Sequence, residues 1–118
     1  MFEALLTPDA YDELAEAFAY RRRTTNAVAA RDWVRRLLAA AQTLRTMPER
    51  CGRAAEAETT GRDVRELLFG KKQGMYRIVF TIHPGVVWVR HIRRASRGPV
   101  PPGRFLTHES PHAHLPGD

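Results

Sequence analysis

Apolar residues recur along this chain in two rhythms. Phe2, Ala4 and Leu6 alternate with their neighbours and predict a short opening strand. Thr7 then stands where a helix cap is needed. Pro8 takes the first helical position, where its missing N–H costs nothing, and Asp9 sits at the positive end of the dipole. Tyr11, Leu14, Ala15 and Phe18 follow at i, i+3, i+4 and i+7, one apolar stripe. Arg21, Arg22 and Arg23 fall at the negative end of this helix as solvated, dipole-compensating charges. Asn26 caps a second, longer helix in which Ala30, Trp33, Val34, Leu37, Ala41 and Leu44 share a face, while Arg31, Arg35, Arg36 and Gln42 point away. Met47-Pro48 ends it. The pattern predicts a helical hairpin with Trp33 as a core anchor.

Residues 49–62 show no clear period and read as a connecting loop, in which Cys51 is incidental. From Asp63 the period becomes two. Val64–Phe69 is a strand, Gly70–Gly74 a hairpin loop, Met75–His83 a second strand, Pro84-Gly85 a turn and Val86–Arg93 a third strand. Three sequential strands with short links predict an antiparallel meander. Its Tyr76/Ile78/Phe80/Ile82 side is the better face to lie under the helices, which leaves Arg77 on an opposite, partly open face. The fold class is therefore α+β, an N-terminal strand and helical hairpin packed on an antiparallel sheet over residues 1–97. Five of the eight prolines fall in residues 98–118, which read as an extended, flexible tail.

Composition narrows the function classes. With 118 residues, 43% hydrophobic and 27% charged, the chain suits one compact domain. No run approaches the roughly 18 apolar residues of a membrane span. The acidic, amphipathic start lacks the basic lead and apolar block of a secretory signal. One cysteine can form no internal disulfide, and a cytoplasmic location is expected. The net charge of +6 is concentrated: residues 1–61 balance to zero, whereas residues 62–97 carry nine basic and two acidic groups. Such a segment suits a polyanion partner, because Lys and Arg neutralise phosphates and release counterions. A solubilising surface is the alternative.

Arg77 is the residue hardest to explain by folding alone, since a guanidinium in mid-sheet is costly unless paired or solvated. Either it recognises phosphate with its planar fork, or it pairs with Glu66 on the neighbouring strand. Arg65 carries the same ambiguity. His91, with an ordinary pKa near neutrality, is the natural acid or base if it is not simply structural. Arg93, Arg94 and Arg97 could line one basic concavity with Arg77, and Lys71 and Lys72 at the hairpin tip could contact phosphate or be plain surface residues. No GxxxxGK[ST], GxGxxG or HExxH motif occurs, and no acidic cluster suits a two-metal nuclease. His108, His112 and His114 lie among prolines, and neither a metal site nor a cofactor is expected of them. Any nucleic-acid cleavage would proceed without metal.

The order of strand, helical hairpin and meander resembles the RelE/ParE superfamily of bacterial toxins. The resemblance is carried by Val64-Arg65-Glu66-Leu67-Leu68-Phe69-Gly70, Met75-Tyr76-Arg77-Ile78-Val79-Phe80-Thr81-Ile82 and Val87-Trp88-Val89-Arg90-His91-Ile92-Arg93-Arg94, together with Thr7-Pro8 and Met47-Pro48-Glu49-Arg50. It covers residues 1–97 and implies a toxin neutralised by a cognate antitoxin protein. RelE-like members cleave mRNA on the ribosome; ParE-like members poison DNA gyrase. In the RNA-cleaving branch the strand arginine, here Arg77, contacts the scissile phosphate, and a second functional arginine falls among Arg93, Arg94 and Arg97. The residues and the resemblance together give, as expectations, catalytic roles for Arg77, His91 and Arg94, and nucleic-acid contacts from Arg65, Lys71, Lys72, Arg93 and Arg97. The tyrosine that often follows the last basic cluster is replaced by Gly98-Pro99-Val100-Pro101-Pro102. mRNA cleavage is the leading expectation, gyrase inhibition the alternative, and a non-catalytic nucleic-acid-binding module or inactive toxin the third.

Overall fold

The computed structural model describes residues 1–107; His108, His112, His114 and the rest of the tail lie outside the described residues. Strand β1 (Glu3–Leu6) leads into helices α1 (Pro8–Thr24) and α2 (Ala27–Gln42), then a short helix α3 (Ala55–Thr60). Strands β2 (Val64–Phe69), β3 (Tyr76–His83) and β4 (Val86–Arg94) follow, and a last short helix α4 (Pro102–Thr107). Both expected caps are formed: Thr7 accepts the N–H of Ala10, and Asn26 accepts that of Ala29.

The sheet order is β1-β4-β3-β2. β2, β3 and β4 form the antiparallel meander, but β1 joins β4 in parallel, Glu3 opposite Val86 through Leu6 opposite Val89. The sheet is thus mixed rather than purely antiparallel. A strand followed at once by a two-helix crossover returns to the sheet in this sense. Leu6, Leu14, Trp33, Leu37, Leu44, Ile78, Phe80, Val87, Val89 and Ile92 fill the core between hairpin and sheet. Trp33 meets Tyr76 and Phe69 edge-on at 5.0 and 6.0 Å between ring centroids. Arg21 covers its other side, 4.0 Å from the centroid, so this arginine is a cation–π partner rather than a purely solvated charge.

β4 carries an irregularity that its sequence does not announce. Val89 lies opposite Phe80, yet His91 lies opposite Val79, so Arg90 is the extra residue of a bulge. The bulge reverses which side chains face the helices. Val87 and Val89 point into the core before it and Ile92 after it, while His91 and Arg93 join Val79 and Arg77 on the opposite face. Thr7 fixes the kink by donating its hydroxyl to the Arg90 carbonyl, and the Arg90 Nε reaches the Thr81 hydroxyl at 3.1 Å.

The opposite face is covered, contrary to the partly open surface expected there. The stretch 49–62, expected as a loop, contains α3, whose Ala57 packs with Ala54, Val64, Val79 and Val100 in a second, small cluster. Ala55 to Thr60 are compatible with one and a half helical turns, and Gly61 ends them in the left-handed conformation at φ 70°. The chain after β4 returns over this face instead of leaving it: Val100 is fully buried, and α4 follows.

Candidate functional site

The charged centre of the molecule is built where β3 passes beneath α3. Arg77, on the middle strand of the meander, extends toward the α3 side. There Glu56 meets it with both oxygens, Nη1–Oε1 at 3.1 Å and Nη2–Oε2 at 2.9 Å, the bidentate fork expected of a guanidinium and a carboxylate. Glu66 on β2 accepts a further bond from Nη1 at 3.0 Å. The same Glu56 carboxylate accepts the backbone N–H of Val100 at 2.8 Å. One buried carboxylate therefore joins α3, β3 and the chain beyond β4.

Burial pushes the Glu56 carboxyl upward, but the bonds from Arg77 and Val100 outweigh it and hold the group below its ordinary value. The Glu56 bond raises the affinity of Arg77 for its proton against the cost of burial, with Glu66 adding to it. Arg77 is 8% exposed and Glu56 not at all, so both charges are locked into the pair.

The other expected site residues separate into four groups. Arg65 pins the loop before α3: its Nη1 donates to the carbonyls of Glu49 and Cys51, both at 2.8 Å, and its Nε lies 3.2 Å from Asp63. Burial pushes the Cys51 thiol up, which keeps it a protonated, inert side chain. Lys71 and Lys72 are exposed in the hairpin between β2 and β3, well clear of Arg77 in sequence register.

His91 is buried. Its Nδ1 lies 3.1 Å from Oε2 of Glu13, whose Oε1 accepts the N–H of Ile92 at 2.9 Å. Ile92 lies past the last residue that β1 pairs, so a side chain from α1 satisfies a backbone group the sheet leaves open. Arg104 of α4 approaches the same carboxylate at 3.4 Å. His91 is thus set between β4 and α1 as an orienting contact.

Arg93, Arg94 and Arg97 do come together, in a recess of about 190 Å³ that Glu13, Glu16, Tyr20 and Tyr76 complete. Arg93 is 9% exposed and donates its Nε to the Gly98 carbonyl at 2.8 Å, while its buried Nη1 has no partner. Burial and then the positive charge of Arg97 weaken its hold on its proton. Glu13 opposes this, and Arg104 and Arg77 add to it. Among the described residues no three His, Cys, Asp or Glu side chains gather as a metal site requires.

A second surface was hidden in the helix pattern. The α1 stripe is not wholly consumed by the core: Tyr11 is half exposed. It lines a groove of about 570 Å³ with Leu14, Ala15, Phe18, Val34 and Leu38, rimmed by Arg31 and Arg35. The stripe was readable in the sequence, but not that only its Leu14 side would be covered.

A β-strand, a helical hairpin and a mixed sheet ending in a basic recess define a small α+β domain of the RelE/ParE type. The model of the ParE toxin family of type II toxin–antitoxin systems, parDE, matches residues 4–99, and the chain belongs to that family. A solved structure from a chromosomal ParDE toxin–antitoxin system of P. aeruginosa superimposes with a TM-score of 0.65 at 17% identity, covering 80% of this chain and 96% of that one. That likeness shows the shared fold. No curated protein matches the chain. No helix among the described residues is long and apolar enough to cross a membrane.

The Glu56 geometry sets the acid response of the fold. Glu56→Gln keeps the side-chain shape but aims an amide N–H₂ at guanidinium donors, and at pH 7 it should cost about 3 kcal/mol of stability. The Glu56 carboxyl is held below its ordinary value of 4.5, so its contribution is complete above that pH and is lost as pH falls through the folded-state value. Urea unfolding of both proteins should show the gap closing below pH 4.5. A gap that stays constant down to pH 3 would remove the charged pair from the account.

Proposed function

We propose that this chain is the toxin of a type II toxin–antitoxin pair and that it inhibits growth by acting on DNA gyrase rather than by cutting RNA. Membership of the ParE toxin family of type II toxin–antitoxin systems supports the first part, and gyrase is a frequent target of such toxins. The observation that carries the second is the state of Arg77. A guanidinium that stabilises a pentacoordinate phosphate must present free donors to it, and three of the five N–H groups of Arg77, on both terminal nitrogens, are engaged by Glu56 and Glu66. His91, the expected acid or base, is 2% exposed and faces Glu13 instead of an open cleft.

Ribosome-dependent mRNA cleavage is the second reading, and one observation favours it: Arg93, Arg94 and Arg97 share a recess at the carboxyl end of β4. Purified protein, free of antitoxin, should inhibit supercoiling by gyrase, and cells expressing it should show trapped DNA breaks with intact messages. Fresh mRNA ends within translated codons, with supercoiling unchanged, would instead make it an RNA-cleaving toxin. A chain that binds RNA and DNA alike and arrests nothing would be a binding module.

The cognate antitoxin is the implied protein partner. The α1–α2 groove, apolar along its floor and basic at its rim, suits an amphipathic segment with acidic flanks, which folds as it docks. Tyr11→Lys changes an exposed groove residue and should leave folding and toxicity intact. It should weaken neutralisation by the antitoxin about tenfold or more, measured by titrating antitoxin into the gyrase assay. Unchanged neutralisation would move the docking surface to the basic end of the sheet.

A further inference from the structure

The tip of the helical hairpin carries a charge excess that the zero balance of residues 1–61 conceals. Residues 1–19 hold five acidic side chains and no basic one, whereas residues 20–36 hold six arginines and one aspartate. Folding gathers these arginines around one projection, since residues 22–26, which turn the chain from α1 into α2, are all exposed. Arg21 leaves the set by lying over Trp33. Arg35 and Arg36 share Asp32, at 3.7 and 3.0 Å, in exposed pairs that contribute little. Arg22, Arg23 and Arg31 are exposed and have no ion pair among the described residues.

Helix electrostatics do not account for this excess. The carbonyl end of α1 amounts to about half a negative charge, and hydrogen bonds already meet it. The Thr24 hydroxyl donates to the Tyr20 carbonyl at 3.0 Å, and the Thr25 hydroxyl and N–H both donate to that of Arg21. Three arginines in the last turn of α1 overcompensate what is left. The start of α2, beside them, adds about half a positive charge and has no acidic residue in its first turn. Arg31 and Arg35 stand one helical turn apart as like charges, an arrangement that weakens a helix. The cluster therefore works against the stability of the hairpin and suits an anion brought from outside.

We propose that the hairpin tip is a docking surface for duplex DNA, with Arg22, Arg23 and Arg31 meeting the phosphodiester backbone. Guanidinium forks on helix ends reach phosphate oxygens without any base leaving its stack, and such contacts position a duplex without reading its sequence. A single strand is held instead by bases stacked on exposed aromatic rings. The tip offers none: Trp33 is buried, and Tyr20 lines the recess at the end of β4. The surface lies outside the basic segment 62–97 and apart from Arg77 and Arg93. The choice of DNA over an RNA duplex rests on the gyrase reading; the surface itself does not.

The test is fluorescence anisotropy of a short labelled DNA duplex of mixed sequence, titrated with the full chain free of antitoxin at several salt concentrations. The logarithm of the association constant should fall linearly with that of salt, with a slope of about −3 for three phosphate contacts. Arg22→Gln/Arg23→Gln should make the slope about two units shallower and weaken binding about tenfold or more at low salt. Arg31→Gln should make it about one unit shallower. Lys71→Gln/Lys72→Gln removes the same net charge from the hairpin between β2 and β3 and should bind as the wild type does. The proposal is overturned if the two double variants weaken binding equally, if the wild type does not bind the duplex, or if a single-stranded RNA of equal length binds more tightly. A supercoiling assay on the same proteins tests the gyrase reading separately. A wild type that binds the duplex through these arginines yet leaves gyrase active would refute that reading and retain the surface. Gyrase inhibition by the wild type, with duplex binding unchanged in Arg22→Gln/Arg23→Gln, would do the reverse. Should that double variant fail to fold, Arg31→Gln, on the other helix, decides the matter.

Discussion

A carboxylate with no exposed surface organises half of this molecule. Glu56 accepts two bonds from Arg77 and one from the backbone of Val100, and in doing so it ties α3 and the chain beyond β4, which lie outside the main core, to β3. Without it, α3 would be a six-residue helix with Ala57 as its one buried side chain, too short to hold itself. Without it, Arg77 would be a desolvated charge supported by Glu66 alone. Burying such a pair is costly, and its benefit lies in orientation: removing one partner leaves the other stranded in a low-dielectric setting. The same bonds, with that to Glu66, commit both terminal nitrogens of the strand arginine to carboxylates.

A second constraint acts at the edge of β4 that β1 leaves unpaired. β1 pairs with β4 only as far as Val89, and the Arg90 bulge begins at the next residue. α1 supplies what the missing strand would have: the Thr7 hydroxyl meets the Arg90 carbonyl, and Glu13 meets the N–H of Ile92. The helix hairpin is thereby anchored by hydrogen bonds as well as by apolar packing. His91 takes its orientation from the same carboxylate.

The local elements were legible in the sequence because local chemistry fixes them. Thr7-Pro8 and Asn26 cap helices wherever they lead amphipathic stripes, and the Tyr76/Ile78/Phe80/Ile82 alternation marks the face that meets Trp33. Parallel pairing of β1 with β4 joins residues more than eighty positions apart and leaves no local trace. The Arg90 bulge has only a faint one, a break in period between Val89 and Ile92. α3 was hidden by its shortness, although the Ala-Glu-rich run before Gly61 is a helix signal once a cap is sought there. Missing α3 hid Glu56, and missing Glu56 left Arg77 looking like an open phosphate contact. Glu66 could be seen as a partner because it sits on the adjacent strand.

The sheet, hairpin and family membership make this chain a ParE-type domain, in which a buried ion pair with Glu56 holds the strand arginine. The most direct test is a double-mutant cycle on that pair, with Glu56→Gln, Arg77→Met and the combined variant unfolded in urea at pH 7. The account predicts that the double variant loses markedly less than the sum of the singles, with a coupling of about 2 kcal/mol. Losses that add to within about 0.5 kcal/mol would contradict it, since the two charges would then be independent.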